Sequence, residues 1–227
     1  MQRLIYAEQR KADLNQAQFV RRWKIHGGFA MRFADFFDPV LRYTLNDRYL
    51  LVPSSEGFND HFSGVGELFY STPEDMDHSL ACPNIAAIFE DGDCVFSRDG
   101  TIHLSGPYDE ICASPDLGIK IFNFISHGEA LSKDEGIGLI DRLARDFASG
   151  LEAGGKRYGV TVTHSFGSDR NSVLEMGFEH LSEALEGWSV WGKIFSAATV
   201  DESQAQWESV PVLVRASVMY DEARYSE

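Results

Sequence analysis

The sequence predicts an α+β protein built from two ferredoxin-like halves, each with the element order β-α-β-β-α-β. The chain has 227 residues, a length that suits two domains of about 110 residues each. Segments with the two-residue period of strands alternate with segments of helical period, and this order occurs twice. A weak internal echo supports the repeat, since Glu67-Leu-Phe-Tyr and Glu175-Met-Gly-Phe occupy corresponding places in the two halves.

The bare faces of two such sheets explain why the chain is double length. Helices cover one face of a ferredoxin-like sheet, and the other face must pair with something. Two sheets stacked on each other close into an α+β barrel with antiparallel sheets. We therefore predict a first domain at residues 1–112 and a diverged second domain at 117–227, joined by a linker at 113–116 that contains Ser and Pro.

The elements of the first half follow from local pattern and capping residues. Residues 4–9 alternate like a strand, and Asn15 offers an N-cap to a helical pattern that continues to about residue 37. Pro73 suits the first turn of a second helix that reaches about residue 87. The remaining segments are predicted as strands at 40–45, 64–70 and 93–97, the last with a possible extension to 103, and as a loop at 53–63.

The second half repeats this order with less distinct signals. An amphipathic helix is predicted at 134–151, and His164 follows Val160 and Val162 on the apolar side of a predicted strand. Trp188 and Trp191 lie in a segment whose structure the pattern does not specify. The other elements are predicted as strands at 118–125, 158–164, 173–176 and 210–219 and as a short helix at 179–185.

Composition narrows the classes of function. The formal net charge of −15 disfavours nucleic acid and anionic membranes as partners, because both are polyanionic. The cysteines, Cys82, Cys94 and Cys112, show no CxxC spacing, which is typical of thiols in a reducing compartment. The N-terminus lacks a signal-peptide pattern and no apolar run is long enough to span a bilayer. We expect a soluble, cytoplasmic protein.

One stripe on the first predicted helix is the strongest candidate for a working site. Phe19, Trp23, His26 and Ala30 follow at steps of four, three and four residues and therefore share one face. An imidazole among aromatic rings can take or give a proton near neutral pH, although a buried histidine can also serve only as a backbone partner. The adjacent Gly27-Gly28 indicates either close approach to a neighbour or a break in the helix.

Further candidates lie on the predicted strands and in the loop before the third strand. Tyr43, Tyr6 and Glu8 are predicted to face the interior, where a hydroxyl could bind a substrate oxygen and a carboxylate could act as a base. The alternatives are a packed core tyrosine at Tyr43 and a Glu8 exposed at the rim of the cavity. Asp60 and His61 could form an acid–base pair at a cavity mouth, or belong to a solvated turn. Three more residues are predicted to contact substrate, though Glu67 also fits a structural role: Glu67, Phe69 and His164.

The sequence offers no compact metal-ligand motif, phosphate loop, Rossmann fingerprint or GxSxG motif. We expect neither metal nor cofactor. A convergence of His26, Asp60, His61 and Glu67 on a metal ion stays open as an alternative.

The segment Phe19-x-x-x-Trp23-x-x-His26-Gly27, followed by Arg42-Tyr43 and then by Gly64-Val-Gly-Glu-Leu, resembles the EthD domain of the dimeric α+β barrel superfamily. The resemblance covers roughly residues 1–105, and the second half lacks the Trp-x-x-His signature. It implies the barrel fold and one dominant site. It does not choose a reaction, because the superfamily includes cofactor-free monooxygenases, dehydratases, decarboxylases, cyclases and haem-handling enzymes.

Together these features favour a cofactor-independent lyase that acts on a hydrophobic aromatic or polyketide-like metabolite of a catabolic pathway. His26 would be the general base or acid, Tyr43 would bind a carbonyl or hydroxyl oxygen, and Asp60 or His61 would be the second proton carrier. A cofactor-free monooxygenase and a non-enzymatic accessory protein that binds a hydrophobic ligand are the alternatives. A homodimer is possible with any of them.

Overall fold

The computed structural model describes residues 1–50, 57–113, 117–128, 131–152, 157–165, 171–200 and 207–221. Residues 114–116 of the predicted linker and residues 53–56 of the predicted loop lie outside these residues. The chain forms two compact units. Unit 1 comprises Met1–Leu50, Asp60–Ser105 and the described segment from Ala216, and unit 2 comprises Gly106–Arg215 with residues 57–59. The division at residues 112 and 117 stays a prediction.

Unit 1 contains the strands β1 (Gln2–Glu8), β2 (Val40–Arg48), β3 (Gly64–Tyr70) and β9 (Val218–Asp221), together with the start of β4 (Ile102–Cys112). β3 lies between β1 and β2 and is antiparallel to both. β4 neighbours β1, and β9 pairs with β2. The helices of this unit are α1 (Gln16–Ala30), α2 (Ala34–Phe37), α3 (Pro73–Leu80) and α4 (Ile85–Gly92).

Unit 2 contains the remainder of β4 with β5 (Ile119–His127), β6 (Tyr158–His164), β7 (Asn171–Phe178) and β8 (Trp207–Arg215). β7 lies between β5 and β6, β8 pairs with β5, and the end of β4 pairs with β6, all antiparallel. The helices are α5 (Lys133–Glu152) and α6 (Leu181–Val200). The α+β class and the β-α-β-β-α-β order of both halves are therefore confirmed.

Local sequence signals set several boundaries correctly. The side chain of Asn15 accepts a hydrogen bond from the Gln18 amide, and the Gln18 side chain accepts one from the Asn15 amide, so α1 begins with a capping box. Thr72 and Asp75 form the same device at the start of α3, with Pro73 in its first turn. The strands predicted at 64–70 and 158–164 have these bounds in the structure.

Three predicted elements in the first half are wrong in extent. The helix predicted to reach residue 37 ends at Ala30, and a turn separates it from α2. The helix predicted to end at 87 breaks near Pro83, which lacks an amide hydrogen, and α4 then continues to Gly92. The strand predicted at 93–97 is a turn with one isolated bridge between Phe96 and Arg10, and the strand itself begins at Ile102.

In the second half the short helix predicted at 179–185 extends to Val200 and includes Trp188 and Trp191. The strand predicted at 210–219 is two strands, β8 and β9, which belong to different units. A single apolar run thus forms two strands, of which β8 pairs with β5 and β9 pairs with β2. The alternation pattern of the run does not show where one strand ends and the next begins.

Candidate functional site

A cavity of about 250 Å³ lies in unit 1. The cavity is lined by side chains of the strands β1, β2, β3 and β4, of the four helices of the unit and of the segment after α4. Most of the lining is apolar. The apolar lining residues are Leu4, Ala30, Phe36, Leu68, Leu80, Ile88, Phe89 and Phe96. The cavity therefore suits a hydrophobic ligand, with a few polar groups to orient it.

Strand alternation places the polar residues of β1 in this wall. Leu4, Tyr6 and Glu8 all line the cavity, because side chains two residues apart lie on the same face of a strand. Tyr6 lies opposite Gly66 in the β1–β3 register. A Cβ atom at Gly66 would lie 2.1 Å from Tyr6 Cζ, so glycine at this position leaves the space that the phenol ring fills.

Two tyrosine hydroxyls meet in the cavity wall. Tyr6 Oη and Tyr43 Oη are 3.3 Å apart. Burial raises the pKa of Tyr6 well above its ordinary value and raises the pKa of Tyr43 to about 12. Both side chains are therefore protonated near neutral pH and can donate hydrogen bonds to a ligand oxygen. Gly27 allows this geometry, since a Cβ atom there would lie 3.0 Å from Tyr43 Cε1.

His26 and Asp91 form a histidine–carboxylate pair beside the cavity. His26 Nδ1 lies 2.7 Å from Asp91 Oδ2, and Arg22 Nη2 donates to Asp91 Oδ1 at 2.5 Å. The bonds from Arg22 and His26 outweigh partial burial and lower the pKa of Asp91. The carboxylate therefore stays ionised and accepts the Nδ1 proton of His26.

This pairing determines which nitrogen of His26 can act on a ligand. His26 is buried and lines the cavity, and its ring packs edge-on against Phe96 at 5.5 Å. Burial is the largest influence on His26 and lowers its pKa below the ordinary value, although the Asp91 carboxylate acts in the opposite direction. The ring is therefore neutral near pH 7, with the proton on Nδ1 and a lone pair on Nε2. Among the described residues Nε2 has no hydrogen-bond partner, so it can accept a proton from a ligand.

Glu8 is the centre of a second polar group in the cavity lining. The carboxylate of Glu8 is buried, accepts a hydrogen bond from Thr101 Oγ1 at 2.8 Å and lies 3.4 Å from His103 Nε2. Arg98 Nη1 is 3.5 Å from the same carboxylate, and the guanidinium lies over the ring of Phe96. Arg98 has a φ of 66°, a left-handed conformation that is uncommon for a residue with a side chain.

Four predicted site residues are brought together in this cavity: His26, Tyr43, Tyr6 and Glu8. The predicted helical stripe is also present, because Phe19, Trp23, His26 and Ala30 are all buried on α1. Phe19 and Trp23 lie behind the lining, where Trp23 packs on Tyr6 and Phe96 at ring distances of 6.3 and 5.9 Å. They support the cavity wall rather than form its surface.

Four other predicted residues lie away from the cavity. Asp60 and His61 are exposed, Asp60 accepts a hydrogen bond from Arg48 through its carbonyl oxygen, and His61 packs against Phe62. Glu67 and Phe69 lie on the opposite face of β3, because they alternate with Leu68, which lines the cavity.

Glu67 and Glu175 make corresponding contacts in the two halves of the chain. Arg3 of β1 donates to Glu67 at 2.6 Å, and Asn46 of β2 donates at 2.8 Å. In unit 2, Lys120 of β5 lies 2.7 Å from Glu175, and Thr161 of β6 donates at 3.2 Å. Each buried glutamate thus has a cation from the first strand of its β-α-β-β-α-β half and a polar partner from the second strand of that half.

His164 uses both ring nitrogens for contacts within unit 2. Nδ1 lies 2.6 Å from Ser172 Oγ and Nε2 lies 3.0 Å from Asp141 Oδ1. The ring is buried, as predicted. Because both nitrogens are engaged, this arrangement orders the strand pair β6–β7 and leaves no ring atom for a ligand.

Three polar residues of the site were missed from the sequence: Asp91, Arg98 and His103. Asp91 was missed because the second helix was predicted to end at residue 87. His103 was included only as the end of a possible extension of the strand predicted at 93–97. Arg98 follows that segment, which is a turn in the structure. The helical spacing from Ile88 to Asp91, which places both on one side of α4, is the signal that could have found Asp91.

Among the described residues, no group of three or more His, Cys, Asp or Glu side chains could hold a metal ion, so His26, Asp60, His61 and Glu67 do not converge. A tetrapyrrole does not fit the cavity in unit 1, since about 250 Å³ is below the usual range of about 300–1,000 Å³ for drug-sized ligands. Among the described residues, no helix is both long and apolar enough to cross a membrane.

Neither a family model nor a curated protein matches the chain. Solved structures do match. A proposed monooxygenase from Fusobacterium nucleatum subsp. nucleatum aligns with a TM-score of 0.60 at 8% identity, covering 96% of this chain and 93% of that one. An anthrone oxidase-like protein aligns with a TM-score of 0.58 at 8% identity, covering 97% of this chain and 94% of that one. A chlorite dismutase variant from Candidatus Nitrospira defluvii aligns with a TM-score of 0.54 at 14% identity, covering 95% of this chain and 91% of that one.

Identities this low show a common fold and no more. The chain has the fold of these α+β barrel proteins over nearly its whole length. Within that fold, the described site combines a neutral, carboxylate-bound histidine with a pair of tyrosine hydroxyls in an apolar cavity.

Proposed function

We propose that the protein is a cofactor-independent enzyme that removes a proton from carbon beside a carbonyl group of a hydrophobic aromatic metabolite. The observation that carries this proposal is the His26–Asp91 pair, whose free Nε2 belongs to the same cavity as the Tyr6–Tyr43 hydroxyl pair. A base and two neutral donors are the groups that convert a carbonyl compound into its enolate.

Each group has a defined part in this step. The carbonyl oxygen of the substrate accepts hydrogen bonds from Tyr6 and Tyr43, and His26 Nε2 takes the neighbouring proton. Asp91 holds the ring in the required tautomer and stabilises the imidazolium that forms. The apolar walls exclude water, which strengthens the hydrogen bonds to the developing enolate. A lyase reaction, in which the enolate expels a group from the next carbon, follows directly.

The experiment uses propiophenone, a one-ring ketone, dissolved in D₂O. The wild-type protein is expected to speed exchange of its α-protons, followed by proton NMR. Loss of a positioned general base costs about 10²–10⁴ in rate, so His26→Gln should lower exchange by at least about 100-fold. His78→Gln is the matched control, since His78 is exposed on α3 outside the cavity. Exchange that does not depend on His26 would refute the proposal.

A cofactor-free monooxygenase is the second candidate, because its first step is the same deprotonation. Support comes from the neighbours described as a monooxygenase and as anthrone oxidase-like. In this reaction the substrate carbanion reacts with dioxygen, which is a co-substrate. An oxygen electrode with anthrone as the probe distinguishes the two: oxygen uptake that depends on His26 favours the monooxygenase.

A non-enzymatic carrier is distinguished by binding. A carrier should retain its ligand in His26→Ala and lose affinity in Trp23→Ala, because Trp23 supports Tyr6 and Phe96. An enzyme should lose turnover in His26→Ala while it still binds ligand.

We also propose that the protein is an EthD-type protein, that it acts in a catabolic pathway in the cytoplasm, and that it forms a homodimer. The three free cysteines are consistent with a reducing compartment.

A further inference from the structure

Glu8 and His103 form a second histidine–carboxylate pair in the wall of the same cavity. Glu8 Oε1 lies 3.4 Å from His103 Nε2, while Thr101 donates to Glu8 Oε2 and fixes the carboxylate. The side chain of Glu8 is 1% exposed and that of His103 is 56% exposed. The carboxylate is thus held inside the protein, whereas more than half of the imidazole side chain is exposed to solvent.

The two histidines approach the cavity from different elements. His26 is on α1 and His103 is on β4. The ring of Tyr6 lies 6.0 Å from that of His103, and Phe96 packs against both Tyr6 and His26. Tyr6 and His103 therefore line neighbouring parts of the cavity wall, while His26 belongs to another part of it.

We propose that His103, oriented by Glu8, is a general acid and that the substrates are β-hydroxy ketones with an aromatic body, which the enzyme dehydrates. This inference rests on the proposed function and adds the leaving group to it. Two proton carriers in one apolar cavity suit a reaction that takes a proton from one carbon and gives one to an oxygen on the next carbon.

The reaction balances without an oxidant or reductant. His26 takes the α-proton, and the electrons of the C–H bond move to the carbonyl oxygen to form an enolate that Tyr6 and Tyr43 hold. These electrons then form the Cα–Cβ double bond while the Cβ–O bond breaks. His103 gives its proton to the departing oxygen, which leaves as water. His26 ends protonated and His103 neutral, and solvent restores both.

The test compares two ketones that differ in the leaving group alone. β-Hydroxypropiophenone needs a proton on its leaving oxygen, whereas β-chloropropiophenone loses chloride without one. Both give phenyl vinyl ketone, which is measured by chromatography after subtraction of the uncatalysed rate. The variants are His103→Gln, His26→Gln and the control His78→Gln.

His103→Gln is expected to lower the rate on the hydroxy ketone at least about 100-fold and to leave the rate on the chloro ketone within about threefold. His26→Gln should lower both. The inference is overturned if His103→Gln affects both substrates equally or neither of them, or if the wild-type protein does not convert the hydroxy ketone. Propiophenone exchange separates the two proposals: if it persists without dehydration, the deprotonation proposal stands and the acid role of His103 falls.

Discussion

Asp91 Oδ2 lies 2.7 Å from His26 Nδ1, although the two residues are 65 positions apart in the chain. The contact fixes the tautomer of His26 and leaves Nε2 as the basic atom. Asp91→Asn should lower α-proton exchange by about 10², because an amide can donate to Nδ1 and favour the wrong tautomer. The propiophenone assay measures this, and circular dichroism checks the fold. An Asp91→Asn variant with full activity would show that the tautomer is set by other contacts.

The pH dependence of exchange follows from the pKa of His26. Burial lowers that pKa below its ordinary value, which is about 6.5. Because the neutral ring is the base, the rate should rise with pH through a midpoint below about 6.5 and be level at neutral pH. The charged groups that act on the ring are Asp91, Arg22 and Arg98. Since Asp91 raises this pKa, Asp91→Asn should move the midpoint to lower pH; a midpoint above the ordinary value would contradict the assignment.

Tyr43→Phe separates chemistry from stability. The substitution removes one hydroxyl while the ring still fills its site near Gly27. Loss of one donor to a developing oxyanion costs about 10²–10³ in kcat, so kcat should fall by this amount while KM changes little. Steady-state kinetics on β-chloropropiophenone and urea unfolding measure the two effects. A fall in stability that accounts for the lost activity would assign Tyr43 a packing role.

Gly66 and Gly28 provide a matched pair of glycine-to-alanine tests. A Cβ atom at Gly66 would meet the ring of Tyr6 at 2.1 Å, whereas one at Gly28 would have no atom within 4 Å. Gly66→Ala should lower the free energy of unfolding by about 1–3 kcal/mol and displace Tyr6. Gly28→Ala, in the interior of α1, should raise it by about 0.5–1 kcal/mol. Urea titration measures both values, and equal effects would contradict the close contact between Gly66 and Tyr6.

The amino-acid sequence alone determined the features that depend on near neighbours. The capping residue Asn15, the buried stripe from Phe19 to His26 and the shared face of Tyr6 and Glu8 all follow from spacing and side-chain chemistry. The α+β class and the repeated order of elements follow from the same periodicities. Strand alternation likewise placed Tyr43 on the interior face of its strand.

The tertiary structure decided which side chains share the cavity. Asp91 meets His26 because α1 and α4 pack together, and His103 meets Glu8, 95 positions away, because β4 lies beside β1. Asp60, His61, Glu67 and Phe69 are excluded by loop position or by the face of β3 on which they lie. Where a helix breaks or a strand starts decides which face each side chain occupies. Contacts between distant segments therefore depend on how the elements pack, which local periodicity does not encode.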